Sequence, residues 1–241
     1  MKIGIIGYGK MGKAVEIIAL QRGHTVYILP LPHPGTSKEF SGIDCAIDFS
    51  HHEVALTAIT ECLAAGMRVV SGTTGWNRKL EDAKRICAEH HGTLCWSPNY
   101  SLGMNITLHI NGLLADIMNQ FDEYAPHLLE IHHTEKKDTP SGTAIAMANQ
   151  AIDRIDRLNK WQLKTAKLVS KDTLTIDARR EKDVKGIHRM TYESKHDTIS
   201  LRHHALSRDG FALGAVIAAE WLAGKTGFFT FEDVLNFNTR P

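Results

Sequence analysis

Short apolar runs alternate with stretches of helical period along the first hundred residues. KIGII, Lys2 to Ile6, reads as a buried strand, and a helical pattern follows it through Leu20. TVYIL, Thr25 to Leu29, is a second strand after Gly23. CAIDF (Cys45 to Phe49), MRVVSGTTG (Met67 to Gly75) and LCWSPNYSLGMN (Leu94 to Asn105) each give a strand that runs into a loop. Helical patterns over 52–65, closed by Gly66, and over 78–89 separate them. This alternation predicts an α/β fold with a Rossmann-type doubly wound parallel sheet. Ligands of such sheets lie outside the carboxyl ends of the strands. GYGKMG, SGTTG and SPNYS all fall at those ends.

The pattern then changes. ITLHINGLLADIMNQF, Ile106 to Phe121, has the broad apolar face of a helix, and HLLEIHH, His127 to His133, reads as a strand. Asp138 or Thr139 can cap a helix with Pro140 in its first turn, running from about Ser141 to Leu158. DTLTIDARR, HRMTYES and TISLRHHAL alternate polar and apolar residues as half-buried strands do. Residues 106–206 are therefore expected to form a second, α+β domain on an open mixed sheet, whose polar face suits a subunit interface. The apolar helix of GFALGAVIAAEWLAGK, Phe211 to Lys225, suits a return to the first domain. That domain then comprises 1–105 plus 207–241.

Composition narrows the field. With 241 residues, 43% hydrophobic and 23% charged, the chain is an ordinary globular protein. A formal charge of +1 gives no field to attract nucleic acid. The longest apolar stretch, Gly210 to Gly224, is short for a membrane span and carries Glu220, so no membrane association is expected. No signal peptide is read at the N-terminus. Cys45, Cys62, Cys87 and Cys95 form no CxxC pair and read as reduced core thiols of a cytoplasmic protein. The fourteen histidines include four adjacent pairs, but neighbours on a strand face opposite ways and no HExxH spacing occurs. No protein-bound metal is expected.

Two stretches carry candidate chemistry. The first is GYGKMG, Gly7-Tyr8-Gly9-Lys10-Met11-Gly12, between a strand and a helix. Gly7 permits the tight turn, Gly9 lets backbone approach a pyrophosphate, and Gly12 lets the helix pack on the strand. Gly72, Thr73 and Thr74, with Ser97, Pro98, Asn99 and Tyr100, are candidates to line the nicotinamide end. The acid that holds the adenosine ribose in many NAD sites is missing after the second strand, where Glu39 is the first acid. Lys10, His33 and Lys38 are the cations available to a 2′-phosphate, so both NADH and NADPH stay open.

The second is EIHHTEKKDTPSGTA, Glu130 to Ala144. Hydride addition to a C=N or conjugated system also needs a proton. A histidine with a pKa of about 6.5 can donate one at neutral pH. His132 is the candidate donor, with Lys136 to stabilise an anionic substrate or share the proton step. Strand alternation gives His133 a different job from His132. The N–H groups of Ser141, Gly142 and Thr143, with two hydroxyls, form an anion site fit for a carboxylate. Glu130, Glu135 and Asp138 would orient or neutralise the surrounding cations, and Glu135 and Lys137 read as surface residues.

This stretch resembles the signature of the 4-hydroxy-tetrahydrodipicolinate reductases of lysine and diaminopimelate biosynthesis, E-x-HH-x-x-K-x-D-x-PSGTA. GYGKMG, SGTTG, SPNYSLGMN and LSRDGFALGAVIAAEWLAGKTGFF are similar to the family's other segments, so the likeness spans nearly the whole chain. The resemblance implies reduction of a cyclic dicarboxylate by NADH or NADPH. It implies His132 as proton donor with Lys136 as partner, and His133, Ser141, Gly142 and Thr143 as substrate holders. Gly7 to Gly12, Gly72 to Thr74 and Ser97 to Tyr100 are the implied cofactor contacts, and Arg208 is a further candidate. It also implies hinges near Ser101 and Leu206 and a homotetramer built through the second domain's sheet. Lys10 stands where the family often has arginine, and KGIH, Lys185 to His188, replaces its usual Pro-Gly-x-His. The rival readings are another two-domain NAD(P)-dependent amino-acid dehydrogenase and a non-catalytic NAD(H) sensor. The first would not be expected to carry the HH…K…PSGTA constellation, and the second leaves His132 and Lys136 without work.

Overall fold

A computed structural model of the protein describes residues 1–31, 40, 42–164 and 170–237. His33, Lys38 and Glu39 lie outside the described residues. The chain divides into two compact units, Met1–Leu102 with Arg208–Pro241, and Gly103–Ser207.

The first unit opens with β1 (Lys2–Ile6), α1 (Lys10–Gln21), β2 (Thr25–Leu29), β3 (Cys45–Asp48), α2 (Ala55–Ala64), β4 (Arg68–Ser71), α3 (Leu80–Glu89) and β5 (Thr93–Trp96). The second contains α4 (Leu102–Met118), β6 (Ala125–His132), α5 (Gly142–Ile152), β7 (Lys160–Leu163), β8 (Thr173–Arg180), β9 (Gly186–Glu193) and β10 (Thr198–Ala205). The chain then returns to the first unit with α6 (Asp209–Trp221), β11 (Gly227–Thr230) and α7 (Phe231–Leu235).

All six strands of the first unit run parallel, in the order β2-β1-β3-β4-β5-β11. The doubly wound sheet expected from the strand–helix alternation is present. Helices cover both faces, because successive residues of a strand point opposite ways. Ile3 and Ile5 pack with α1 and α6 residues, whereas Ile6 packs with those of α2 and α3. The strand order reverses between β1 and β3, so the ligand crevice of such a sheet opens at their carboxyl ends.

The second unit holds a five-stranded mixed sheet in the order β10-β9-β6-β8-β7. β6 pairs parallel with β8 and antiparallel with β9. One face, carrying Leu128, Ile176, Met190 and Tyr192, is buried under α4 and α5. The opposite face carries His127, Leu129, Asp177, Arg179, Arg189 and Glu193, all at least partly exposed. The period of two that marked these strands in the sequence is this division of faces.

Four details depart from the sequence expectation. β7 and β11 have four residues each, too short for periodicity to separate strand from loop. α4 begins at Leu102, inside the SLGMN segment read as loop. α5 is capped by Ser141, not by Asp138 or Thr139, so Pro140 precedes the cap. The same helix ends at Ile152, although Ile155 and Leu158 stay buried. Turns continue the apolar spacing beyond the helix, which is why the sequence pattern ran on to Leu158.

Candidate active site

In the first unit the carboxyl ends of β1, β3 and β4 close on one another. Gly7 has φ of +87°, a conformation that favours glycine, and a Cβ there would lie 2.4 Å from the Phe49 carbonyl oxygen. A Cβ on Gly12 would meet the Gly7 oxygen at 2.4 Å. The loop is thus pressed against β3 and against its own helix. Gly9 differs: it caps α1 in an extended conformation and has nothing within 4 Å of its Cβ position. Tyr8 and Lys10 are exposed and Met11 is half-buried.

Asp48 ends β3 fully buried, outside the motifs that mark the candidate residues. It accepts hydrogen bonds from the Ser71 and Thr73 hydroxyls, both at 2.9 Å, and from the Ser50 N–H at 3.0 Å. Burial raises its pKa, and these donors oppose the rise. Its role is to bind the ends of β3 and β4 together, which fixes the loop of Gly72, Thr73 and Thr74. The signal was available as a lone acid closing the apolar run CAIDF. In the neighbouring loop, Ser97 and Asn99 bond to each other, and Asn99 accepts from the Ser101 N–H. Pro98 is exposed. The Tyr100 side chain is placed in the core, donating to the Cys95 carbonyl at 2.9 Å and packing on Phe231. Only its backbone is left to line a ligand site.

In the second unit the site follows from sheet register. Glu130 and His132 are two apart on β6 and share a face. The antiparallel register sets His188 of β9 beside Glu130, and the parallel register sets Arg180 of β8 beside His132. Glu130 is 0% exposed. Its Oε2 lies 2.8 Å from Nδ1 of His132, a close approach in which neither atom has an aligned hydrogen-bond partner. Its Oε1 accepts from the Ser141 N–H at 3.1 Å and from Nη1 of Arg180 at 3.2 Å. Burial works against the Glu130 charge, but His132 and Ser141 outweigh it and bring its pKa down to about 2.

Ser141 is more occupied than its sequence context suggested. Its hydroxyl accepts from the Ala144 N–H at 3.1 Å and lies 3.1 Å from Nε2 of His188. With its own N–H on Glu130, Ser141 is buried structural glue. Gly142 and Thr143 remain as first-turn residues whose N–H groups lack an intrahelical acceptor. Open space surrounds the Cβ position of Gly142. Lys136 is half-buried and donates to both Asp138 carboxylate oxygens, at 2.8 and 2.9 Å. That contact lowers the Asp138 pKa. His133 lies just past the end of β6 with its Nδ1 buried and unpartnered, so it leaves the alternation of the strand. Glu135 and Lys137 are exposed. Arg208, the residue preceding α6, belongs to the first unit.

His188 and Arg180 were not among the residues expected at the site, because their place depends on register across three strands. Burial, followed by the nearby His132 charge, lowers the His188 pKa to about 3. His188 is therefore neutral at pH 7. A folded-state pKa below the unfolded value of about 6.5 gives stability that is complete above pH 6.5. That stability is lost as pH falls from there toward 3. The thermal midpoint should begin to drop near pH 6.5, and His188→Asn should flatten the decline between pH 6.5 and 4.5. Parallel midpoint curves for the two proteins would exclude this origin.

Glu130, His132 and His188 also place three ligand-type atoms within 4.8 Å of one another. The Arg180 guanidinium already supplies positive charge to that carboxylate, which counts against a cation there.

The joined motifs have relatives. A family model described as "Dihydrodipicolinate reductase, N-terminus" matches residues 33–100, and its C-terminal counterpart matches residues 103–235. The chain belongs to the dihydrodipicolinate reductase family. A 4-hydroxy-tetrahydrodipicolinate reductase of Christiangramia forsetii is 42% identical over 238 residues, covering 98% of each chain. One from Neisseria gonorrhoeae is 32% identical over 206 residues, 82% of this chain and 74% of the relative. Among solved structures, a dipicolinate-bound dihydrodipicolinate reductase from Paenisporosarcina sp. TG-14 superimposes with a TM-score of 0.74 at 18% identity, covering 95% of this chain and 97% of its own. An amine dehydrogenase from Mycobacterium smegmatis reaches 0.61 at 10% identity, covering 96% and 95%. At such identities the likeness shows the fold alone. With the family goes the reaction expected from the motifs, NAD(P)H-dependent reduction of 4-hydroxy-tetrahydrodipicolinate in diaminopimelate and lysine biosynthesis.

Proposed function

We propose that His132 delivers the proton of this reduction and that the turn beginning at Ser141 holds a substrate carboxylate. Replacing a hydroxyl by hydrogen consumes one hydride and one proton and releases water. NADH or NADPH supplies the hydride when bound. The residues fit such a cofactor: Gly9 leaves open space at the N-terminus of α1, whose N–H groups and positive dipole end suit a pyrophosphate. Gly7 to Gly12 would hold the phosphates, with Lys10 as the described cation nearest in sequence. Gly72, Thr73 and Thr74, with Ser97, Pro98, Asn99 and the backbone of Tyr100, would hold the nicotinamide end.

The single observation that carries the reading is the Glu130–His132 approach inside a buried face. A carboxylate against Nδ1 orients the ring and leaves Nε2 to hand a proton on. Gly186 keeps that edge clear, since a Cβ there would come within 3.2 Å of Nε2. Lys136 brings a cation for developing negative charge, held in place by Asp138. Gly142 and Thr143 offer the carboxylate two N–H groups and a hydroxyl. His133 and Ser141 complete this wall, Ser141 by fixing the turn.

The reaction is tested by following NADH and NADPH oxidation separately with freshly generated substrate. Oxidation of either confirms it, and oxidation of neither overturns it. In the same assay Thr143→Val should raise the substrate KM about tenfold, the worth of one hydrogen bond to a charged group. An unchanged KM would remove the carboxylate from this turn.

We further place the enzyme in the cytoplasm as a homotetramer. Four free, buried cysteines suit a reducing compartment, and among the described residues no helix is long and apolar enough to cross a membrane. The uncovered face of the mixed sheet, with His127, Asp177, Arg179, Arg189 and Glu193 arrayed on it, offers charges of both signs for self-association. A cyclic dicarboxylate is the partner molecule, and the near-zero net charge gives nucleic acid no purchase.

A further inference from the structure

We propose that Arg180 is the positioning residue of the substrate loop, the side chain that sets where Lys136 and the Ser141–Thr143 turn stand. The proposal rests on the reading of His132, Lys136 and that turn given above. Arg180 ends β8 with only 19% of its side chain exposed. Its guanidinium reaches five acceptors. Nε donates to the Lys136 carbonyl at 3.3 Å. Nη1 donates to Oε1 of Glu130 at 3.2 Å and to the Arg179 carbonyl at 2.7 Å. Nη2 donates to the Asp138 carbonyl and to the Thr139 hydroxyl at 2.9 Å.

The distribution of these bonds matters more than their number. From His133 to Ser141 the chain has neither strand nor helix to hold it. Three of the five acceptors lie in this segment, and two are backbone carbonyls, so the grip is on the main chain. A fourth acceptor is the carboxylate whose other oxygen faces His132. One side chain therefore links the proton-donating pair, the loop that bears Lys136, and the approach to the helix turn. Only a planar fork with several N–H donors can do this. A lysine keeps the charge but offers one nitrogen.

The test is steady-state kinetics of Arg180→Lys and Arg180→Gln, with Arg85→Lys as control. The Arg85 guanidinium pairs with Glu89 on the exposed side of α3. A loop displaced by a fraction of an ångström should raise the substrate KM roughly tenfold or more in both Arg180 variants, with further loss in kcat. The KM for NADH or NADPH should stay at the wild-type value, and Arg85→Lys should match wild type throughout. Merely weakening the fold would not separate the two Michaelis constants at temperatures well below the thermal midpoint. Arg180→Lys retains the positive charge beside Glu130, so it keeps the test valid should the glutamine variant fold poorly. A wild-type substrate KM in Arg180→Lys overturns the proposal, as does an equal rise in the cofactor KM. Wild-type turnover in the same assay separates the two layers. An inactive wild type removes the underlying reading, whereas an active wild type with unaltered Arg180→Lys removes only the role of Arg180.

Discussion

His132→Gln should lower kcat by roughly a hundredfold to ten-thousandfold, the range of a lost general acid, while leaving the dissociation constant of NADH or NADPH unchanged. Glutamine is the informative replacement. Its amide matches much of the imidazole's reach and can still donate toward Oε2 of Glu130, so the buried carboxylate keeps a partner. What it lacks is a proton that it can release near neutral pH. Water would then have to supply the proton, on a face where His132 is now only 8% exposed. The loss should sit in kcat and kcat/KM together, the signature of an interaction made only in the transition state. The measurement is turnover under saturating substrate, with cofactor binding followed by fluorescence. A variant retaining near-wild-type kcat would take His132 out of the proton step and move attention to Lys136.

The sequence was most readable where chemistry and local pattern coincide. GYGKMG announced its turn because glycine is required where φ is positive and where backbones touch, and the structure shows both at Gly7 and the close approach again at Gly12. The strands around Leu128, Ile176 and Met190 announced themselves by alternation, since one face is buried and the other is open. Legibility failed where a residue's work depends on a partner far away in sequence. Arg180 sits in DTLTIDARR as one more polar residue, and only the β6–β8 register brings it to Glu130, fifty positions earlier. His188 is equally plain until β9 pairs with β6. Ser141 carries work that its local pattern does not show. A serine in a Pro-Ser-Gly-Thr turn looks free to bind a ligand, yet the helix needs a cap and Glu130 needs a donor, and Ser141 serves both. Short strands such as β11 left no pattern at all, because four residues that begin with a glycine have no period to show.

Glu130→Gln should lower both stability and turnover, and pH should tell the two effects apart. The substitution keeps shape but removes the one negative charge held between His132 and Arg180. Breaking a buried ion pair from one side costs about 3 kcal/mol where the remaining charge has no other partner. Arg180 keeps four other acceptors, so the loss at pH 7 should be nearer 2 kcal/mol, on the order of a strong hydrogen bond to a charged group. The sign with pH follows from the Glu130 pKa, depressed to about 2. In the unfolded chain a glutamate titrates near 4.3, so the carboxylate stabilises the fold fully above that value and loses its contribution as pH falls toward 2. Wild type and variant should therefore differ at pH 7 and converge by about pH 2, a window lower than the one set by His188. Turnover should fall as well, by roughly tenfold to a hundredfold, because the carboxylate that orients the His132 ring is gone. Denaturant midpoints of both proteins at pH 7 and near pH 2.5 provide the check. A stability difference that stays constant with pH would mean that Glu130 acts by shape and hydrogen bonding alone. Its place behind His132 would then be structural, and the turnover loss should vanish with it.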